Sequence, residues 1–356
     1  MDIVVYGAGG NGRLFYQAMQ NANINILFFI DEYTQATEYQ GIPIKRISEV
    51  EDKSLPVLVS VAAFSTAIAE DLRGRGFSDV SDFNQSVVKV PQIIDVFLPI
   101  VWWYEEDKSK MLDYPKLEQL RTLFADQTSH QVLDRIIGFR ENISAETYLT
   151  NDAVTQYFPE DIDLFSHLNA VRMIDCGAFT GDTLAQTISI LGERGTDLDF
   201  IALMEPDNKN LEALQANVKK HKQACDLFVL PAGAWSSSKI LQITSNGASS
   251  QVTELQSQPE EGVFTIPVVG IDEVFYGAKP NYIKMDIEGA EVEAIEGAKQ
   301  VIADYSPVLA ICLYHRGSDL WNIPLRIHEI NPNYNYYLRV HGDMGLETVI
   351  YCVPKM

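Results

Sequence analysis

The stretch YIKMDIEGAE (Tyr282–Glu291), followed by AICLYH (Ala310–His315), holds the residue types that move protons. Lys284, Asp286 and Glu288 sit at alternate positions, so they share a face if the strand continues that far. Glu291 follows where a helix should start. His315 ends an apolar run, which places its imidazole at the tip of a strand. A carboxylate or histidine within hydrogen-bond reach of a hydroxyl can take its proton as the oxygen attacks, a contribution of about 10²–10⁴-fold. Asp286, Glu288 and His315 are therefore the candidate catalytic residues. The same acids offer the oxygen ligands that Mg2+ takes, although the pattern assigns no metal site. Acids at a helix start also cap it, which is the plain structural alternative for Glu288 and Glu291. Arg316, Arg326, Arg339 and His341 lie close in sequence to this rim, for an anionic group on a substrate or for pairing with surface acids; pairing is the preferred reading.

Such residues need a sheet to bring them together. VRMIDCGAFTGD (Val171–Asp182) is a strand that ends in Asp175 and breaks into a loop with Gly177 and Gly181 before a helix. A strand end of this kind leaves backbone N–H groups for a ligand. A second strand, Phe200–Met204, ends in Glu205-Pro206-Asp207, where a carboxylate can accept from both hydroxyls of a ribose. Asp207 can cap a helix running to about Gln223. DLFVLPAGAWS, KILQITS, TIPVVGI, YIKMDI and PVLAICLY read as further strands, with a helix from about Gly289 to Asp304. NYNYYLRVH and LETVIYCV alternate around a turn and read as a terminal hairpin. Ligands bind at the carboxyl ends of parallel strands. The acid–glycine loop with an acid at the next strand end resembles the cofactor site of class I S-adenosylmethionine-dependent methyltransferases. That resemblance implies Asp175, Gly177, Ala178, Thr180, Gly181, Asp182, Glu205, Pro206, Ala234, Trp235 and Asp286 as cofactor-binding residues. Ala234 and Trp235 would lie near the adenine.

The first part of the chain is a separate unit. IVVYGAGGNGRLFYQAMQ is a strand, a glycine loop and a helix, with Gly7, Gly9 and Gly12 in a GxGxxG spacing; INILFFIDE ends in Asp31. This is the context in which that motif holds a nucleotide, with the acid on a ribose. LPVLVSVA and FSDVSDF supply further strands, around a helix near Thr66–Arg73. VVYGAGGNGR, FIDE and GIPI are similar to the N-terminal nucleotide-sugar-binding domain of PglD-type sugar acetyltransferases, over about residues 1–85. Tight packing of strand on helix is the structural alternative for the glycines. Residues 89–165 read as a helical connector: Tyr114–Phe139 carries apolar residues at helical spacing, and LPIVWWY is aromatic. Trp102 and Trp103 could stack on a sugar, but packing is the preferred reading.

Composition bounds the rest. The chain has 356 residues, 46% hydrophobic and 21% charged, with a net charge of −22. Such a balance suits globular domains, and its sign disfavours a nucleic-acid backbone or an anionic membrane as partner. The four cysteines show no CxxC spacing and read as reduced thiols. No leader-like or bilayer-spanning apolar run is seen, so a cytoplasmic protein is expected. A homo-oligomer is compatible with the sequence.

IDCGAFTGDT, MEPD, KMDIEGAE and LYHRGSDLWNIP with NYNYYLRVH together resemble the FkbM family of S-adenosylmethionine-dependent methyltransferases, from about Gln156 nearly to the C-terminus. Phe179 stands where the commonest methyltransferase loop has its central glycine. The resemblance implies an α/β class I methyltransferase fold, a seven-stranded sheet with a terminal antiparallel hairpin, over residues 166–356. A smaller Rossmann-like domain covers 1–88. It further implies O-methylation with S-adenosylmethionine as cofactor, and a sugar or nucleotide-sugar as substrate. The alternatives are an NAD(P)-dependent oxidoreductase using the N-terminal glycines, and a non-catalytic nucleotide-sugar-binding protein.

Overall fold

The computed structural model describes residues 1–62, 64–246, 249–254 and 263–355. The chain divides into two compact units. One comprises Met1–Tyr104 and Gly138–Thr150, the other Glu105–Ile137 and Asn151–Met356.

The first unit holds one six-stranded sheet, formed by β1 (Asp2–Tyr6), β2 (Asn25–Ile30), β3 (Glu38–Tyr39), β4 (Ile42–Lys45), β5 (Val57–Val59) and β6 (Val80–Ser81) in the order β3-β4-β2-β1-β5-β6. Every neighbouring pair is parallel except β3–β4. Ile3, Val4, Val5, Phe28, Phe29 and Ile30 are buried, as the near-continuous apolar runs of a sheet covered on both faces require. The strand order turns back at β1, flanked by β2 and β5, and the glycine loop leaves β1 there. FSDVSDF forms only the two-residue β6, because Asp82 leaves the ladder to cap the helix Phe83–Lys89, accepting from Gln85 N at 2.8 Å. Trp103 is buried, its ring 6.0 Å from that of Phe139 and 4.8 Å from the Arg140 guanidinium, so it packs.

The second unit contains β7 (Ala170–Cys176), β8 (Asp197–Met204), β9 (Asp226–Leu230), β10 (Gly233–Ala234), β11 (Lys239–Asn246), β12 (Ser249–Glu254), β13 (Val263–Val269), β14 (Tyr282–Met285), β15 (Val308–Cys312), β16 (Tyr334–Val340) and β17 (Thr348–Pro354). Seven of them form a sheet in the order β16-β17-β15-β14-β7-β8-β9. Pairs from β15 to β9 are parallel, and β17 runs antiparallel to both neighbours, closing the sheet with a hairpin. This is the mixed α/β sheet that the alternation of strands and helices predicts. Residues of β14 and β15 are buried throughout, each large aliphatic side chain contributing about 1.5–3 kcal/mol.

Two expectations change. KILQITS and TIPVVGI leave the main sheet: β11 and β13 join β10 and β12 in a four-stranded sheet of order β10-β13-β11-β12. Within it, β11 pairs antiparallel with both β12 and β13, as strands without the long connection of parallel neighbours do. The helices expected at Tyr114–Phe139 and Gly289–Asp304 are each broken in two. Tyr114–Arg121 and Gln127–Glu141 are separated where Ala125 N donates to Tyr336 O of β16 at 3.0 Å. Glu291–Glu296 and Lys299–Tyr305 part at Gly297, whose carbonyl accepts from Asp272 N at 2.7 Å.

Candidate functional site

Strand register decides what meets at the rim of the large sheet. Lys284 and Met285 of β14 lie opposite Asp175 and Cys176 of β7, and Cys176 lies opposite Met204 of β8. The chain therefore leaves the three strands at one level, as Asp286, Gly177 and Glu205. A Cβ on Gly177 would lie 1.9 Å from the Asp286 carbonyl oxygen, and its φ is +81°, so only glycine fits. Beneath the loop, the buried Lys284 Nζ is 2.9 Å from Asp175 Oδ1 and donates to Gly177 O at 2.9 Å. Thr183 Oγ donates to Asp175 Oδ2 at 2.8 Å. Burial opposes the lysine's charge, but Asp175 and Asp286 outweigh it and raise its pKa.

The loop amides turn inward, contrary to the expectation that they face a ligand. Gly177 N and Ala178 N both donate to Met204 O, at 3.0 and 2.9 Å, and Gly181 N donates to Ala178 O at 2.7 Å. Thr180 O accepts from Asn217 Nδ2 at 2.7 Å. Phe179, at φ +48° and 53% exposed, donates its N–H to Glu205 Oε2 at 3.0 Å. Glu205 Oε1 accepts from Asp207 N at 2.8 Å. Burial, its largest influence, raises the Glu205 pKa.

Above this rim lies a cavity of about 1090 Å³. Gly177, Asp182, Glu205, Pro206, Ala234, Trp235 and Asp286 line it, while Asp175, Ala178, Thr180 and Gly181 do not. Leu241 of β11 and Thr265, Ile266 and Val268 of β13 add a wall that the sequence reading had assigned to the main sheet. Ordinary small-molecule pockets measure roughly 300–1,000 Å³, so this one has room for a cofactor and part of an acceptor.

Asp286 is the centre of a hydrogen-bonded corner. Its Oδ2 accepts from the Tyr157 hydroxyl at 2.8 Å and its Oδ1 from the Tyr314 hydroxyl at 3.1 Å. His315 Nε2 is 3.4 Å from Asp286 Oδ1 and 3.7 Å from Glu288 Oε2, while Nδ1 is 2.9 Å from Glu291 Oε1. Burial pulls the His315 pKa down, but Glu291, Asp286 and Glu288 overcome it and push it up to about 9. The ring is then an imidazolium at neutral pH. Burial likewise works against the Asp286 charge, yet Lys284, His315 and the two tyrosines keep its pKa below the ordinary carboxylate value. Glu288 and Glu347 behave oppositely: burial first, then neighbouring acids including Asp286, raise both. Gln156 Nε2 holds Glu347 Oε2 at 2.6 Å.

Tyr157, Tyr314, Lys284 and Glu347 belong to this corner without having been assigned a role from sequence. Tyr157 lies where the resemblance begins, next to Gln156, and Tyr314 beside His315, so both were within reach of that reading. Glu347 sits between the hairpin strands at φ +52°, where no pattern marks it. Asp286, Cys312 and Glu347 offer ligand atoms within 4.8 Å of one another. The donor set fits a divalent cation poorly, because Asp286 is already held by two hydroxyls and a cationic ring. Of the basic residues near the rim, Arg326 pairs with Glu296 and Glu329, and Arg339 with Asp126 and Asp161. His341 bonds the Tyr351 hydroxyl at 2.8 Å and Val154 O at 3.2 Å.

In the first unit, a Cβ on Gly12 would lie 2.1 Å from Gly7 O, so helix and strand loop pack too tightly for a side chain. Gly9 has open space around it, and Gly7 is at φ +97°. Asp31 Oδ2 accepts from Ala8 N, and Oδ1 from Tyr33 N and Thr34 N, each at 2.9 Å. These amide bonds outweigh burial and lower its pKa.

Residues 175–338 match the family model described as the methyltransferase FkbM domain. The match begins at Asp175 under the glycine loop and ends within β16, so it takes in most of the cavity's lining, with Gln156, Tyr157 and Glu347 outside it. Across 99% of this chain and 89% of the other, the fold is similar to that of methyltransferase FkbM from Methylobacillus flagellatus KT, with 24% identity and a TM-score of 0.63. A stretch of 103 residues, 27% of the chain, is 25% identical to the redox-sensing transcriptional repressor Rex of Bacillus subtilis (strain 168). The chain spans about half the length of that relative, 48%. Among the described residues, no helix is long and apolar enough to cross a membrane.

Proposed function

We propose that the FkbM domain transfers a methyl group from S-adenosylmethionine to a hydroxyl oxygen, the acceptor being a sugar. The observation that carries this reading is the cavity itself, whose wall brings Gly177, Glu205 and Asp286 together inside an FkbM domain. The residues suit the cofactor: Glu205 lies at the end of β8 for a ribose, and the acid-rich lining favours a molecule bearing a sulfonium and an ammonium group. S-adenosylmethionine supplies the electrophilic methyl, the acceptor oxygen bonding to that carbon as the carbon–sulfur electron pair passes to sulfur and S-adenosylhomocysteine results.

The protein's part is to position the acceptor and receive its proton. An oriented pair gains much of its rate from proximity. His315, cationic and held by Glu291, is a poor base in this state. Its charge instead steadies Asp286 and Glu288. Glu288, whose pKa burial and the neighbouring acids raise, is the better proton acceptor. Asp286, kept ionised, holds the acceptor hydroxyl or the cofactor ammonium. In the first unit, Gly7, Gly9, Gly12 and Asp31 are proposed to bind a nucleotide or nucleotide sugar.

Calorimetric titration with S-adenosylhomocysteine tests the cofactor assignment. Saturable binding that Glu205→Ala weakens by about 10–100-fold is expected, the worth of charge-assisted hydrogen bonds. Unchanged affinity in that variant would remove the ribose role. Glu288→Gln should lower turnover while leaving S-adenosylhomocysteine affinity intact, and a fully active variant would show that the proton goes elsewhere.

A further inference from the structure

We infer that the acceptor carries a protonated amine near the hydroxyl that is methylated, an inference that rests on the transferase reading above. The charges facing the cavity are unequal. Asp182, Glu205, Asp207, Asp286, Glu288 and Glu347 line it, against Lys209 and Lys284. Lys284, 2.9 Å from Asp175, and the His315 ring, 2.9 Å from Glu291, are each shared with an acid outside the lining, so they offset its charge only in part and leave the acids in excess.

The excess is sharpest at the proton-transfer corner. Asp286 and Glu347 bring carboxylate oxygens within 4.8 Å of each other, and Glu288 lies 3.7 Å from the same imidazole that touches Asp286. Like charges this close disfavour ionisation, and the raised pKa values of Glu288 and Glu347 record that repulsion as well as burial. A neutral polyol can hydrogen-bond these carboxylates but leaves the repulsion in place. A phosphate adds to it. An ammonium group with three N–H donors relieves it and satisfies the oxygens together. A cofactor with one net positive charge does not balance the lining alone, and the cavity has space beyond it. A phosphate-bearing acceptor, a nucleotide-linked sugar included, is thereby set aside for this cavity.

The test uses full-length protein saturated with S-adenosylhomocysteine and titrated, by NMR, with 2-amino-2-deoxyglucose, glucose and glucose 6-phosphate. The amine should bind about tenfold or more tightly than glucose, and the phosphate most weakly. Glu347→Gln should bring the amine's affinity down towards that of glucose while leaving glucose unchanged. Equal affinities, a preference for the phosphate, or no binding of any of the three would overturn the inference. If Glu347→Gln does not fold as judged by S-adenosylhomocysteine binding, the wild-type order at about 20 and 500 mM NaCl decides: a charge preference must shrink with salt. Protein that holds S-adenosylhomocysteine yet shows no charge preference removes this inference alone. Protein that fails to hold it removes the transferase reading as well.

Discussion

The imidazole of His315 shows how far a residue's surroundings can reverse the role its type suggests. Histidine at a strand end reads as a base, yet three carboxylates hold this ring protonated, with a pKa of about 9 against an ordinary 6.5. A group whose pKa is raised in the folded state stabilises that state fully below its unfolded value and loses the contribution as pH rises through the folded one. The melting temperature of His315→Gln should therefore fall furthest below the parent's under pH 6.5 and converge with it above about pH 9. The largest gap corresponds to about 3 kcal/mol at most. A gap independent of pH would mean that the ring is neutral. The positions of Asp286, Glu205 and Gly177 were legible because each follows an apolar run and its type suits a strand end. Glu347 was not, since nothing local marks a residue that the turn of a hairpin brings to a site built by other strands.

At the level of elements, one buried ion pair joins two neighbouring strands. Lys284 of β14 and Asp175 of β7 stand opposite each other, and the lysine also holds the Gly177 carbonyl. Lys284→Met leaves Asp175 buried without its partner and should cost about 3–5 kcal/mol. Urea denaturation would read this as a lower midpoint with an unchanged slope. A variant as stable as the parent would show that water or a neighbour takes over the lysine's place. The alternation of the terminal hairpin and the parallel core were readable from periodicity. The four-stranded sheet was not, because β11 and β13 look like any buried strand in isolation. What distinguishes them is their antiparallel pairing with each other, which no local pattern records. Broken helices escaped for a similar reason: Gly297 and Ala125 are diverted by partners distant in sequence.

For the whole molecule, the excess of acids is spread over a chain that must still fold against its own repulsion. Raising NaCl from about 10 to 200 mM shortens the screening length from about 30 to 7 Å and should raise the melting temperature. A flat or falling curve would show that the charge is already balanced locally. The first unit takes Met1–Tyr104 and then Gly138–Thr150, with a segment of the second unit between them. A ribosome delivers the chain in order, so the first unit lacks its last segment until residue 150 has emerged, by which time Glu105–Ile137 is already exposed and waiting for strands not yet made. Neither unit is a cassette that can be cut out with one boundary. A deletion ending near residue 85 or 104 strands Gly138–Thr150 without its unit, and a workable excision would have to reconnect the chain at two places.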